Sequence, residues 1–236
     1  MRRPMRTIVA VANPAGRADA LERVLSTLSD TEQTALVVLG SLTAQGQADE
    51  YRAVLRALGH ANLPAFYVPG PRDVPLHDYL REAFNIEVSF PFLHGVHGSF
   101  AVGPGYVVVA GMGGLIDDRA ETVRDEQDEL RYPSWEVEYR FKILHDLKDY
   151  PRLFLFTTPP AHKGMHETGS QTLAELINTY RPQAVFTTGG PPRQERLGTT
   201  TVLFVGDLAE GYYTVYDRIN NTSEVRRWES TKSAGT

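Results

Sequence analysis

Short apolar, β-branched runs ended by glycine or proline alternate with amphipathic segments along most of this chain. Thr7–Ala12 is the first such run, stopped by Asn13-Pro14 and Gly16. A short run that is apolar throughout reads as a strand buried on both faces. Asp19 to Leu28 then sets Ala20, Leu21, Val24, Leu25 and Leu28 at helical spacing, with Asp19 as the expected N-cap. Ala35–Gly40, Ala65–Val68, Leu153–Phe156, Ala184–Thr187 and Thr200–Val205 repeat the strand pattern. Asp49 to Leu58, Ser134 to Leu147 and Gln171–Tyr180 repeat the helical one, the last capped by Ser170. Buried strands that alternate with such helices call for a parallel or mixed sheet covered by helices. The stretch from Ile86 to Gly111 departs from this. There Ser99–Val102 and Tyr106–Ala110 flank the turn Gly103-Pro104-Gly105, which predicts an antiparallel pair, and Gly211–Tyr216 with Glu224–Trp228 predicts another. Asp117 to Glu129 is acidic and reads as a solvated loop. With no internal repeat and no long linker, residues 1–236 read as one domain whose tail, from Ser230, is frayed.

Composition narrows the function classes. A chain of 236 residues can build a sizeable core, and 42% hydrophobic with 22% charged residues is the balance of an ordinary soluble protein. A net charge of −5 disfavours a nucleic-acid or anionic-membrane partner. The absence of cysteine excludes disulfides, thiol catalysis and zinc–thiolate sites. The apolar run behind the basic start is six residues long, short of the about seven a secretory core needs. No stretch approaches the roughly 18–20 apolar residues of a membrane span. The chain therefore reads as cytoplasmic, which makes the N-x-Ser/Thr patterns at Asn220 and Asn221 chance matches. Arginine supplies 20 of the 24 basic residues, so an anion site would use guanidinium forks.

Five turns that follow strands carry the chemical information. They are AlaAsnProAlaGly at 12–16, LeuGlySerLeu at 39–42, ProGlyProArgAsp at 69–73, ThrThrProPro at 157–160 and GlyGlyProPro at 189–192. In order, spacing and preceding strand they resemble the calcineurin-like metallophosphoesterase superfamily. That family reads Asp-x-His, Gly-Asp, Gly-Asn-His-Asp/Glu, His-x-Pro-Pro and Gly-His-x-His at these places. The likeness runs from Thr7 to Asp217 and implies an α/β fold, a four-layer α/β/β/α sandwich of two mixed sheets. The family's chemistry needs two divalent cations about 3.5–4 Å apart that clamp the phosphate and activate a water. Its ligands are carboxylate, imidazole and amide oxygens on loops at the carboxyl ends of strands.

Measured against that likeness, the backbone outline is kept and the metal-binding side chains are replaced. Asn13 stands for the first Asp and Ala15 for its His; Ser41 stands for the bridging Asp; Pro71 and Arg72 stand for the Asn ligand and the acid His. Thr157, followed by Thr158, stands for the next His before an intact Pro159-Pro160, and Gly190 and Pro192 stand for the last two. Gly40, Gly70, Asp73 and Gly189 are retained, and none of the seven histidines falls at a ligand position. A metal can move the pKa of water from about 15.7 to roughly 7, equivalent to about 12 kcal/mol. One well-placed hydrogen-bond donor contributes roughly 3–4 kcal/mol, so neutral substitutes do not make up the difference. The expectation is a protein with no catalytic residue and no metal or other cofactor, the family's acid position being Arg72.

What the likeness leaves is a crevice suited to an anion. Helix N-termini after the first two strands are expected to offer unpaired N–H groups. Arg72 would sit in the crevice, with Arg17 and Arg193 near its rim. Asn13, Ser41, Asp73, Thr157, Thr158 and His162 complete the candidate lining for a small anionic or phosphorylated ligand. The plainer reading pairs Arg72 with Asp73 or a neighbour. The alternative is a working phosphoesterase that recruits Mn, Fe, Zn or Ca through Asp73, His162 and His166; a third option is a structural subunit of a homo-oligomer. His162, Lys163, His166 and Glu167 read as a surface loop at the cleft mouth, while His94 and His97 are spaced to point apart. His60 and His77 read as helix-end or loop residues. Ser41 has no motif that would supply the base a nucleophile needs.

Overall fold

The computed structural model describes residues 3–28, 32–122, 126–162 and 168–228. In chain order the first half runs β1 (Thr7–Ala12), α1 (Ala18–Ser26), β2 (Thr34–Leu39), α2 (Ala48–His60), β3 (Ala65–Val68), α3 (Leu76–Glu87) and β4 (Leu93–Gly95). The hairpin β5 (Ser99–Gly103) and β6 (Val107–Met112) leads through β7 (Leu115–Asp117) and β8 (Arg131–Pro133) to α4 (Ser134–Phe141), which ends in a 3₁₀ turn, Lys142–His145. Then come β9 (Arg152–Phe156), α5 (Gln171–Tyr180), β10 (Ala184–Thr187), β11 (Arg193–Leu197) and β12 (Thr200–Phe204). A 3₁₀ turn, Leu208–Glu210, precedes β13 (Tyr212–Asp217) and β14 (Thr222–Arg227).

Two six-stranded mixed sheets result, ordered β14-β13-β1-β2-β3-β4 and β11-β12-β10-β9-β6-β5, beside a small β7–β8 pair. The central strands are parallel, and β13 pairs antiparallel with β1, Val9 opposite Val215. Period-two alternation sorts the side chains into layers. Val9, Val11, Leu36 and Val38 face outward to meet α1, α2 and α3. Ile8, Ala10, Val37 and Leu39 face the other way and pack against Val107, Val109, Leu153 and Leu155 of the second sheet. Val108, Ala110, Phe154 and Phe156 form that sheet's outer face under α4 and α5. This is the expected α/β/β/α sandwich. Strands that are apolar throughout are explained by it, since each central strand is buried on both faces.

Local expectations need four corrections. Residues 76–87 form α3, a stretch in which the sequence shows no clear helical period. Its buried face is Tyr79, Glu82, Ala83 and Ile86, but Leu80, Phe84 and Val88 lie exposed opposite, so no single apolar stripe stands out in the sequence. Ile86 therefore ends a helix and begins no strand. At α1, Arg17 holds the N-cap position and no side chain caps it; Asp19 lies in the first turn, favourable to the dipole only. In 117–129 the first residues are not a free solvated loop: Asp117 pairs with Arg131 at 2.8 Å, and Asp118 accepts from Ser134, Ser170 and the Gln171 N–H. β11, ArgGlnGluArgLeu, is an edge strand whose polar content hid it. Ser170 does cap α5, accepting from the Leu173 N–H. The tail from Ser230 and the residues Lys163, His166 and Glu167 lie outside the described residues. Among the described residues no helix is long and apolar enough to cross a membrane.

Candidate functional site

The carboxyl ends of β1, β2, β3, β6, β9, β10 and β12 converge at one end of the sandwich, and all five motif turns lie there. Their polar groups are used to tie each turn to the next. Asn13 is held at φ 50°, in the left-handed region that asparagine tolerates. Its Nδ2 donates to Asp207 Oδ1 at 2.5 Å, and its Oδ1 accepts the Ser41 N–H at 2.6 Å. The first and second turns also run side by side, with Ala15 N–H on Ser41 O and Gly16 N–H on Leu42 O.

The second and third turns are joined by Asp73. Its side chain is fully buried and accepts four hydrogen bonds: Leu42 N–H and Gly70 N–H at 2.7 Å, Thr43 N–H and Thr43 Oγ1 at 2.9 Å. Burial pushes this carboxyl above its usual range, against the opposing pull of the N–H groups around it. Gly40 and Gly70 meet back to back: a Cβ on Gly40 would lie 1.9 Å from Gly70 N. The next N–H groups along, Ala44 and Gln45, go to Glu50, and that of Gly46 goes to Thr43 Oγ1. The loop donors between β2 and α2 are thus spent on the chain's own side chains.

The circuit continues across to the second sheet. Gly114 N–H donates to Pro69 O, and Leu130 N–H to Pro71 O. Thr157 Oγ1 donates to Gly114 O at 2.8 Å. Thr158 Oγ1 donates to the same oxygen at 3.1 Å and accepts the Ile116 N–H at 2.9 Å. Thr188 Oγ1 closes the set on Thr157 O at 2.8 Å.

The arginines differ. Arg17 reaches Ala209 O at 3.5 Å and stacks over Trp228, and Arg193 lies 3.6 Å over the Phe204 ring with Glu195 at 3.5 Å. Both are engaged with their own chain. Arg72 is exposed and is bound to no side chain among the described residues, so the pairing with Asp73 does not occur. His162 is exposed beside the Pro160–Ser170 bridge.

Two groups that the sequence reading passed over support this end of the molecule. Asp207, just beyond β12, receives Asn13; a carboxylate directly after a buried strand was the available signal. The other is a relay behind the cleft. His97 Nδ1 accepts the Gly113 N–H at 3.1 Å, so its proton is on Nε2, which faces Tyr132 OH at 3.1 Å; Tyr132 in turn donates to Glu126 Oε1 at 2.9 Å. Burial, helped by Arg140, pushes His97 down to about 3, which keeps the imidazole neutral. His94 sits elsewhere, stacked on Phe66, as its spacing predicted.

The donor set does not fit a pair of dications. The positions that would need charged ligands hold an amide with both ends occupied, a serine and a threonine whose hydroxyl is already donated. The retained carboxylate has four hydrogen bonds and no exposed surface. Among the described residues no group of three or more His, Asp or Glu side chains is arranged to hold a metal.

Comparison with known proteins gives one family and several structures of the same fold. A family model described as metallophosphoesterase, calcineurin superfamily, matches residues 1–227. The crystal structure of TT1561 of Thermus thermophilus is similar at 41% identity and a TM-score of 0.90, covering 95% of this chain and 100% of that one. A novel archaeal phosphodiesterase shares the fold at 7% identity and TM-score 0.54, covering 94% and 99%. A putative 5'-nucleotidase from Staphylococcus aureus, in complex with alpha-ketoglutarate, does so at 11% and 0.58, covering 98% of this chain and 55% of that one. No curated protein matches.

Proposed function

This chain belongs to the calcineurin superfamily of metallophosphoesterases, and we propose that it keeps the family's scaffold without the two-metal reaction, as a module that binds a small anionic or phosphorylated ligand. The observation that carries this reading is the hydrogen-bonded circuit of the motif turns. Where a hydrolase holds charged side chains open toward cations, Asn13, Asp73 and Thr157 are each consumed by the backbone of a neighbouring turn. Such a circuit holds the cleft's shape and, among the described residues, occupies the side chains at the motif turns that would otherwise face a metal. Arg72, exposed at the third turn, is the group left to meet an anion, and a guanidinium presents a fork that matches phosphate or carboxylate.

The test has two arms. Calorimetric titration with inorganic phosphate and with nucleotides should give heat that disappears in Arg72→Ala; silence with all of them counts against the binding role. Metal analysis of the purified protein, followed by assay of a chromogenic phosphodiester with added Mn²⁺, should give neither stoichiometric metal nor turnover above background. Both together would instead establish a hydrolase with non-standard ligands.

A further inference from the structure

The two large sheets end in four edge strands, β14, β4, β11 and β5. Two are guarded. β14 carries Glu224, Arg226 and Arg227, and β11 carries Arg193, Glu195 and Arg196. Charges on an edge deter another chain from pairing there. The other two are bare: β4 reads LeuHisGly and β5 reads SerPheAlaValGly, without a formal charge. Three residues, 96–98, join them, so both open edges lie on one side of the sandwich.

The surroundings of β5 are apolar. Phe92, Val102 and Tyr106, exposed by 41%, 51% and 62%, line a groove of about 510 Å³ at the open ends of the two sheets. On α4, Ser134 bonds Thr172 of α5 at 2.7 Å, which fixes that flank toward α5. At about 100° per residue, Tyr139 then lies on the flank of α4 turned away from α5, and the 3₁₀ turn that continues the helix carries Ile143. From the same flank Arg140 lies against Gly98, one residue before β5. Tyr139 and Ile143 are 68% and 46% exposed.

We infer that β5 is where a second copy of this chain pairs, antiparallel about a twofold axis at Ala101, joining the two copies' second sheets edge to edge. The strand is self-complementary in that register. Phe100 falls opposite the partner's Val102 on the α4 side, an apolar cross-strand pair, and no like charges meet. β11 centred in the same way would set Glu195 against the partner's Glu195. Twofold pairing uses each open edge once and closes, which a heterologous contact would not. The area also suits a second copy. With about 150–250 Å² for a whole aromatic side chain, the exposed parts of Phe92, Tyr106 and Tyr139 amount to roughly 260–430 Å², to which Val102 and Ile143 add. A standard interface buries about 800 Å² per partner, of which about 57%, or roughly 450 Å², is apolar.

The pairing is independent of any ligand in the cleft, and its test leaves that site untouched. Light scattering after gel filtration should give twice the chain mass of 26.3 kDa, and Val102→Lys should give the single mass with an unchanged circular-dichroism spectrum. Ile219→Lys, at another exposed apolar residue, should stay double. Because the chain has no cysteine, Ala101→Cys introduces one thiol per copy, which oxidises to a linked dimer when the strands meet in this register. A wild type of single mass, or a Val102→Lys variant that remains double, overturns the inference. Should Val102→Lys unfold, the Ala101→Cys product decides: a band of doubled mass supports the pairing, and its absence overturns it.

Discussion

Arg72 and Asp73 are neighbours in sequence with opposite fates, and replacing each separates scaffold from ligand. Asp73→Ala leaves the N–H groups of Gly70, Leu42 and Thr43 facing a void. Hydrogen bonds to a buried charge are the costly ones to break, so a loss of about 3–5 kcal/mol is expected in urea unfolding. Arg72→Ala, at an exposed side chain, should change stability by less than about 0.5 kcal/mol while removing the phosphate heat. The sequence made Asp73 recognisable as a retained family residue. Its use did not show, because its partners at Leu42 and Thr43 are backbone N–H groups about 30 positions away that no side-chain pattern encodes. His97 was equally opaque, its partners lying 16 and 35 residues on. Its neutral state has a pH consequence. The ordinary value is 6.5 and the folded one about 3, so between these the unfolded chain binds the extra proton. The stability this contributes is complete above 6.5 and is lost as pH falls, about 2 kcal/mol from pH 7 to pH 5. His97→Gln should be less stable at pH 7 but flatter across that interval in a series of thermal melts.

At the scale of elements, the motif turns matter by how closely their backbones approach. Gly40 has no room for a side chain: its Cβ would also meet Asp73 Oδ2 at 2.6 Å. Gly40→Ala must therefore push the second turn off the third and break the Asp73 bonds, with an expected cost of at least about 3 kcal/mol. Gly198, at φ +62°, has its nearest neighbour at 3.6 Å, so Ala there pays only for the backbone conformation, about 1 kcal/mol. Comparable losses in the two variants would contradict the close-approach account; chemical denaturation distinguishes them. Gly40 was legible because a glycine after a buried strand marks such a turn. Elements were legible where burial matches a single period, as in β1, β2 and α5. They were not where an element carries a second apolar face or a polar edge: the exposed Leu80, Phe84 and Val88 blurred α3, and alternating charges concealed β11.

For the whole molecule, the question is whether the two sheets stand or fall together. Ile8, Val37 and Leu39 of one sheet share a core with Val109, Leu155 and Leu203 of the other, so that each inner face is the other's cover. β1 is flanked by β2 and by β13, so the first sheet is completed only by the last part of the chain. Opening either sheet exposes the inner face of both, a large apolar area for which no partial structure compensates. One cooperative unfolding transition follows, and the two tryptophans report on it separately. Trp135 lies on α4 over the second sheet, while Trp228 packs beside the outer core of the first, its indole N–H on Leu208 O. Trp135→Phe and Trp228→Phe each leave one reporter. The fluorescence midpoint of each variant in urea should match that variant's own circular-dichroism midpoint, because a two-state chain shows the same transition to every probe. Midpoints that part within either variant would mean that one sheet survives the loss of the other, and that the shared inner core contributes less than its burial indicates.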